Sequence, residues 1–328
     1  MNRTCTLIVS YNGAPWLRRC LDSLRASACP GHVMVVDNAS TDDTLRIVEA
    51  EYPEVERVRL ASNLGFGGGN NVGIARAIAA GHEYIFLLNQ DAYVTPDALG
   101  AMTRFMDSHP AFGVVSPLHC SPTPASVDRK TLVAYLQKHA PAYLSDACLG
   151  TVQPHYAMRG INAAAWFVRS SVFQRVGGFD PLFFMYGEDD DLINRFADHG
   201  VGFALLPSAV IVHLRESVVS PTPTRRVRIE KLAQRKGPAL LVDIKRPGFS
   251  RLHMCTHLVA RGMFLPLADF VVERKLDELC ASVLAAAALV RQLNRIHEHA
   301  ALCASVGAHF LQVPLIAPPG GTTGPVQR

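Results

Sequence analysis

Tyr84-Ile85-Phe86-Leu87-Leu88-Asn89-Gln90-Asp91 is the stretch that decides the fold. An unbroken apolar run ends in two amides and a carboxylate. A strand with one wet face alternates apolar and polar side chains. A short continuous apolar run is instead expected of a strand buried on both faces, as in a parallel sheet covered by helices. Its polar end is then the carboxyl end of the strand, where open sheets of this kind bind ligands.

The flanking sequence supports this reading. Cys5–Ser10, His32–Asp37 and Val55–Leu60 read as earlier strands and Phe112–Ser116 as a fifth. Helical patterns alternate with them. One runs from about Pro15 to Ala28, one follows the cap Ser40-Thr41-Asp42-Asp43 to about Ala50, one spans Asn71–Ala80, and one spans Pro96–Ser108. The order predicts an α/β fold, a mostly parallel sheet with helices on both faces. Cys120 to His155 is looser, with prolines at 122, 124, 141 and 154, and reads as an inserted loop or lid. Ala163–Arg169 reads as a strand, Glu188–His199 as a helix, and Phe203–Leu206 and Val210–His213 as two further strands.

Four strands end in polar clusters: Ser10-Tyr11-Asn12-Gly13, Asp37-Asn38-Ala39-Ser40, Asn63 through Asn71, and Asn89-Gln90-Asp91. Four in register describe a nucleotide pocket. Singly, each has a plainer explanation. Asp37 could accept from a ribose or base, or be a turn residue or helix cap. Gly65 to Gly69 lets the backbone approach a ligand, or simply turn tightly. It does not match the GxGxxG fingerprint, because position 70 is Asn and the run follows the third strand. Asn89, Gln90 and Asp91 offer oxygen ligands suited to Mg²⁺ or Mn²⁺, or form a strand-end turn. His213 could complete a Mn²⁺ site or contact a diphosphate, although a lone histidine is more often structural.

A second acidic station follows Gly177-Gly178-Phe179-Asp180, where Glu188-Asp189-Asp190-Asp191 opens a helix. Acids in a first turn suit the helix dipole and often do nothing else. That reading, or an i,i+4 pair of Asp191 with Arg195, fits Asp190 and Asp191. For Glu188 and Asp189, the preceding Phe183-Phe184-Met185-Tyr186 would supply an apolar wall that raises a carboxylate pKa and suits a general base.

Composition excludes several classes. The chain has 328 residues, 49% hydrophobic, with a net charge of +4 that gives no case for nucleic acid. Eight scattered cysteines and no secretion-type leader predict free thiols in a reducing, cytoplasmic setting. The longest uncharged apolar helix candidate, Leu279 to Val290, falls short of the roughly 20 residues a bilayer span needs.

Taken in order, these motifs closely resemble family 2 glycosyltransferases of the GT-A (Rossmann-like) fold, in particular the bacterial rhamnosyltransferase-like branch. The pieces are Val9-Ser10-Tyr11-Asn12, Val35 through Asp42, Asn63-Leu64-Gly65-Phe66-Gly67 with Asn71-Val72-Gly73, Leu88-Asn89-Gln90-Asp91, Gly177-Gly178-Phe179-Asp180, Tyr186 through Leu192 with Arg195, and His213. The resemblance covers roughly residues 4–217. It implies inverting transfer of a sugar, best guessed as rhamnose from dTDP-rhamnose, from a nucleotide-diphosphate donor to a glycan or lipid-linked acceptor in cell-surface polysaccharide assembly. It implies that Ser10, Tyr11, Asn12 and Asp37 hold the base and ribose. Asn63, Gly67, Asn71 and Asn89 would lie along the nucleotide. Asp91, with His213, would hold Mg²⁺ or Mn²⁺ on the diphosphate. Asp189 would remove the acceptor proton with Glu188 beside it. Many relatives carry Asp-x-Asp where this chain has Asn89-Gln90-Asp91, which should weaken metal affinity; an amide there also occurs in the rhamnosyltransferase-like branch. Trp166 and Met185 are expected in the core rather than in a pocket.

The expected domains are a transferase domain over 1–219, a basic and amphipathic helical extension over 220–317, and a disordered tail over 318–328. Arg225 to Arg246 carries eight Lys/Arg against two acids. It could contact an anionic membrane on the inner face of the plasma membrane, or be a solvated basic face. Two rivals remain. One is a nucleotide-binding scaffold without catalysis, against which the Glu188-Asp189 pair argues. The other is a nucleotidyltransferase, which would want a basic glycine-rich loop that Ser10 to Ala14 does not supply.

Overall fold

The computed structural model describes residues 3–122, 126–161, 163–214, 224–273 and 275–311. Its sheet contains β1 (Thr4–Ser10), β2 (His32–Asp37), β3 (Glu56–Arg59), β4 (Tyr84–Leu88), β5 (Ala92–Val94), β6 (Phe112–Cys120), β7 (Tyr156–Met158), β8 (Ala165–Arg169) and β9 (Gly202–His213). The order is β3-β2-β1-β4-β8-β6-β9-β5, with β7 also on β9. β1, β2, β3 and β4 pair in parallel, as do β6 and β9. β8 runs antiparallel between β4 and β6, and β5 and β7 oppose β9. The sheet is therefore mixed: six of its nine strands run the same way, and β4, buried on both faces, lies parallel to β1 and antiparallel to β8.

The helices of the first part are α1 (Leu17–Arg25), α2 (Thr44–Glu51), α3 (Gly65–Ala79), α4 (Ala98–Ser108), α5 (Gln137–His139), α6 (Pro141–Leu149), α7 (Ser170–Val176) and α8 (Glu188–Asp198). Ile85 and Leu87 of β4 point into a core with α3, α7 and α8. Tyr84, Phe86 and Leu88 point into an opposite core with α1, α2 and α4. Strand period 2 divides one apolar run between two cores.

Three expectations change. The glycine run is not a loop: α3 starts at Gly65, and these residues are its first turns. A Cβ at Gly67 would lie 2.7 Å from Phe179 Cβ, one at Gly69 2.7 Å from Val9 Cγ1, and one at Gly73 would strike Leu7. Those glycines let the helix lie close against the sheet and the Phe179 loop. Gly65 is different: its φ of +75° is left-handed, and a Cβ there would strike the Phe184 carbonyl. Second, Phe203–Leu206 and Val210–His213 are one strand, β9, whose register on β6 slips between Pro117 and Leu118. Pro207 has no N–H to give a ladder, so the strand bulges rather than ends. Third, the 120–155 stretch is largely helical. A π-helical turn (Thr131–Leu136) leads into α5, and α6 follows with Pro141 in its first turn and left-handed Gly150 at its end. Asp128 Oδ1 accepts from the Thr131 N–H at 2.8 Å and starts this segment.

Beyond residue 224 come α9 (Arg225–Ile244), α10 (Arg251–Val259), a π-helical turn (Ala260–Phe264), α11 (Leu265–Glu273), α12 (Leu276–Val290) and α13 (Leu293–Ala304). Their core of Leu240, Leu241, Ile244, Met254, Leu258, Leu289 and Ile296 takes in Phe183 from the loop before α8. The first residues of the expected extension, 220–223, lie outside the described residues, as does the 318–328 tail. All eight cysteines are free. No helix among the described residues is long and apolar enough to cross a membrane.

Candidate active site

The ends of β1, β2 and β4 are laced together by amides. Ser10 Oγ donates to Gln90 Oε1 at 2.7 Å, and the same oxygen accepts the Tyr11 N–H at 3.1 Å. A Cβ at Gly13 would strike Gln90 Oε1, so glycine is required beneath it. Gln90 is thus a strut between two strand ends. Tyr11 is 45% exposed at the mouth. Asn12, at a φ of +49°, accepts the Thr41 N–H at 2.9 Å. Asp37 is buried, and its carboxylate reaches the Ser40 N–H at 3.4 Å.

Asn38 was not among the expected site residues, yet it organises the next loop. Its Nδ2 donates to Asn63 Oδ1 and to the Gly65 carbonyl, each at 3.0 Å, and its Oδ1 accepts the Leu64 N–H at 2.8 Å. Asn71 donates to the Phe179 carbonyl and accepts the Phe179 N–H, both at 2.7 Å. Its amide therefore braces α3 to the Gly177–Asp180 loop. Ser10, Tyr11, Asn12, Asp37 and Asn63 converge at the carboxyl ends of the parallel strands, while Gly67 and Asn71 face Phe179. Trp166 is buried and stacks on Phe179 at 6.0 Å, in the core as expected. Met185 departs from expectation: it is exposed beside Phe184 and Tyr186.

Asp91 follows β4, and the pairing of Ala92 with His213 brings the end of β9 beside it. Asp91 Oδ1 lies 3.2 Å from His213 Nε2. Among the described residues, buried His213 Nδ1 and Asn89 Oδ1 meet no hydrogen-bond partner.

The second acidic station is built by backbone geometry. Tyr186 (φ +69°) and Gly187 (φ +80°) are successive left-handed residues immediately before α8. A left-handed Tyr costs on the order of 1–3 kcal/mol and persists only where its surroundings hold it. Glu188 is 7% exposed and its Oε2 has no partner among the described residues. Burial, with the charges of Asp189 and Asp190, pushes its carboxyl up to about 7. Asp189 is half-buried beside it and accepts the Asp190 N–H at 3.0 Å. Partial burial and Asp189 raise the Asp190 carboxyl, while Lys130, from the segment over 126–149, pulls it the other way. Lys130 of that inserted segment therefore lies within electrostatic range of the first turn of α8.

One turn further, α8 is anchored from below. Lys245 Nζ lies 2.6 Å from both Asp180 Oδ2 and Asp191 Oδ1. Arg195 Nε donates to Asp191 Oδ2 at 2.9 Å, the expected i,i+4 pair, and its Nη2 donates to the Gly178 carbonyl. His299 Nδ1 lies 2.7 Å from Asp180 Oδ1. Burial alone would raise the Asp180 carboxyl, but His299 and Lys245 hold it at about 2. Lys245 is raised despite its burial, because two carboxylates face it. Sequence reasoning missed Lys245 and His299, which sit in the extension far along the chain from their partners.

Comparison with known proteins accounts for this arrangement. Residues 5–153 match the model for glycosyl transferase family 2, and residues 147–217 match that for the N-terminal domain of galactosyltransferase. An N-acetylglucosaminyl-diphospho-decaprenol L-rhamnosyltransferase of Mycobacterium tuberculosis is 30% identical over 229 residues, 62% of this chain and 74% of that protein. The chain belongs to glycosyl transferase family 2. Rhamnosyltransferase WbbL of Escherichia coli is 26% identical over 63% of this chain and 81% of its own length. In fold, this family 2 glycosyltransferase is similar to residues 1–349 of TarS from S. aureus, solved with UDP-GlcNAc, with a TM-score of 0.53, 17% identity, and coverage of 91% of this chain and 89% of that one. The chain spans 54% of the longer TarS structure. GalNAc-T7, solved with UDP, GalNAc and Mn²⁺, aligns with a TM-score of 0.54 at 13% identity, over 74% of this chain and 48% of that one. The expected GT-A fold is borne out, and the transferase chemistry with it. Divalent metal is common among GT-A transferases. The residues here fit one: Asp91 offers a carboxylate 3.2 Å from the His213 imidazole, and Asn89 Oδ1 is a buried oxygen with no hydrogen-bond partner among the described residues.

Cys5, His32 and His82 also bring ligand atoms within 4.8 Å of one another. They lie at the opposite end of the strands. The two rings stack at 5.1 Å and 17°, and His32 Nε2 is 2.7 Å from Glu56, which in turn pairs with Arg76. Near-parallel stacked rings do not aim their lone pairs at one ion, and this cluster is accounted for without one.

Proposed function

We propose that this transferase moves a sugar, rhamnose from dTDP-rhamnose as the first choice, from a nucleotide-diphosphate donor to a lipid-linked acceptor in cell-surface polysaccharide assembly. The carrying observation is the Glu188-Asp189 pair in the first turn of α8, one acid desolvated with its Oε2 unpartnered among the described residues, the other half-buried beside it. The donor and acceptor choices rest on the named rhamnosyltransferases, whose overlap with this chain is broad.

In this reading Tyr11, Asn12 and Asp37 hold the nucleoside at the ends of β1 and β2. Ser10 acts through Gln90, and Asn63 through the loop that Asn38 organises. Asp91 and His213 would hold Mg²⁺ or Mn²⁺, which when bound offsets charge on the departing diphosphate. Asp189 accepts the proton of the acceptor hydroxyl, whose oxygen attacks the anomeric carbon from the face opposite the diphosphate, inverting configuration. Glu188, protonated over part of the neutral range, lowers the negative charge around Asp189 and can donate to the acceptor or donor sugar. Phe184, Met185 and Tyr186 form an apolar sill beside it. We assign residues 1–219 to the transferase body and the helices after 224 to an extension that braces α8.

The test is nucleoside diphosphate release from dTDP-, UDP- and GDP-sugars, with and without Mn²⁺, for wild type and Asp189→Asn. Release from one donor, lost in the variant, supports the reading and names the donor. Folded protein that binds nucleotide but turns over no donor, even with a lipid-linked acceptor, would favour a scaffold.

A further inference from the structure

α10, the π-helical turn and α11 follow one another without a break, giving a helical run over 251–273. At 1.5 Å per residue it is about 35 Å long. One stripe faces inward: Met254, Leu258 and Gly262 are buried, the last so close that a Cβ would strike Ala286 of α12. The next stripe, at the same spacing of four, is equally apolar and faces out. Val259, Met263, Leu267 and Val271 are 44–67% exposed, with Phe264 and Leu265 beside them at 61% and 57%. A helix apolar on both faces belongs in a core or against a membrane. An exposed patch of this kind marks an interaction surface.

Charge says what kind of surface covers it. Residues 224–311 contain fourteen Lys and Arg against seven Asp and Glu, whereas residues 1–223 contain seventeen against twenty-one. The positive charge of the chain is thus gathered in the part that carries the stripe. The Arg225–Arg246 stretch is not its best site. Arg225 and Arg228 pair with Asp277, Arg226 with Glu230, Lys236 with Glu278, and Lys245 is buried on Asp180 and Asp191. Along the apolar run itself, Arg251 is exposed at its start, Arg261, paired with Asp243 at 3.0 Å, in its middle, and Lys275 just past its far end, against the exposed acid Asp269. Apolar side chains rimmed by cations suit an anionic bilayer, in which the helix lies flat with its apolar face at the headgroup boundary. No described helix could instead span the bilayer.

We propose that the outward face of α10–α11, centred on Val259, Met263, Phe264, Leu267 and Val271, docks on an anionic lipid surface. The proposal deepens the lipid-linked acceptor reading and takes its purpose, though not its evidence, from it. The same extension touches the site: Phe183 packs in its core, and a Cβ at Gly187 would lie 3.1 Å from Pro238 of α9. Docking by α10–α11 would therefore bring a lipid surface to the extension that packs directly on the loop before Glu188.

The experiment is co-flotation of the full chain with vesicles of phosphatidylcholine alone and of phosphatidylcholine with phosphatidylglycerol, at low and high salt. Wild type is compared with Met263→Glu/Leu267→Glu and with Arg251→Glu. The expected result is binding to the anionic vesicles that weakens with salt, more than about tenfold lower partition for the double variant, and a smaller loss for Arg251→Glu. Nucleoside diphosphate release in detergent should be unchanged in all three, which also shows that the variants fold. Equal flotation of wild type and double variant would overturn the proposal. So would a wild type that ignores vesicles but is a dimer by light scattering, dissociated by the same substitutions, because a second copy would then cover the face. The two readings fail separately: turnover of a detergent-dispersed lipid-linked acceptor without vesicle binding removes only the docking surface. Salt-sensitive vesicle binding without turnover of any donor removes only the acceptor reading.

Discussion

Glu188 and Asp191 lie in the same helical turn, are buried to nearly the same degree, and are treated in opposite ways. Glu188 has no partner for Oε2 among the described residues, and its carboxyl rises to about 7. Asp191 is met by Lys245 and Arg195. Burial alone does not decide what a carboxylate does; the supply of counter-charge does. In the proposed mechanism the outer acids do the proton chemistry, while the inner one is tied down and fixes the helix beneath them.

The largest expected effect comes from breaking the outer pair. Asp189→Asn should lower turnover by about 10²- to 10⁴-fold, the usual contribution of a positioned base. Nucleotide affinity by calorimetry should stay unchanged; a parallel loss of affinity would move Asp189 out of the base role. Breaking the inner station should act on stability instead. Lys245→Met leaves Asp180 and Asp191 buried with less counter-charge, and should cost about 3–5 kcal/mol in urea unfolding. An unaffected midpoint would mean that water reaches both acids.

Glu188→Gln sharpens the contrast through pH. An unfolded Glu ionises near 4.5, whereas folded Glu188 holds its proton to about 7. The folded state then binds more protons between those values, so its stability falls as pH rises through that window and levels off above it. The Gln variant should remove this slope, worth about 2–3 kcal/mol between pH 4.5 and 7. Urea titrations at several pH values read it directly, and an unchanged slope would place the titrating group elsewhere. Asp91→Asn is a milder comparison, since Asp91 is more exposed and already faces His213. Because Asp91 would be a direct ligand, its loss should weaken the apparent affinity for Mn²⁺ in donor turnover by at least the roughly 10- to 100-fold that losing an outer partner costs, with activity partly restored at high Mn²⁺. Equal activity of both proteins in chelator would exclude a metal role for Asp91.

What the sequence made legible follows physical range. The unalternating Tyr84–Leu88 run specified a strand with two buried faces, and each polar cluster after a strand fell at the expected end of the sheet. Asp191 with Arg195 was readable because four residues make one helical turn. The role of Lys245 was not, because 54 residues separate it from Asp191 and nothing local distinguishes it from the basic residues around it. The glycines of α3 were misread because a tight turn and a close helix-to-sheet approach demand the same missing Cβ. The helices over 131–149 were hidden by prolines, one of which, Pro141, opens a helix. Gln90 and Asn38 look like ligand-binding amides in sequence and act as struts in the structure, since an amide serves either purpose equally well.

The Asp180–Lys245–Asp191 cluster also bears on the order in which the molecule is made. A chain emerges from its amino end, so both carboxylates leave the ribosome before Lys245, and Asp180 waits a further stretch, 119 residues in all, for His299. The parallel strands can pair during that interval. The helix bearing Glu188 and Asp189 brings Arg195 for Asp191 with it, but Asp180 has neither Lys245 nor His299 until they arrive. Assembly of the sheet and anchoring of α8 are thereby separated in time, and a nascent chain that stalls before Lys245 would have its strands but not the cluster that fixes that helix.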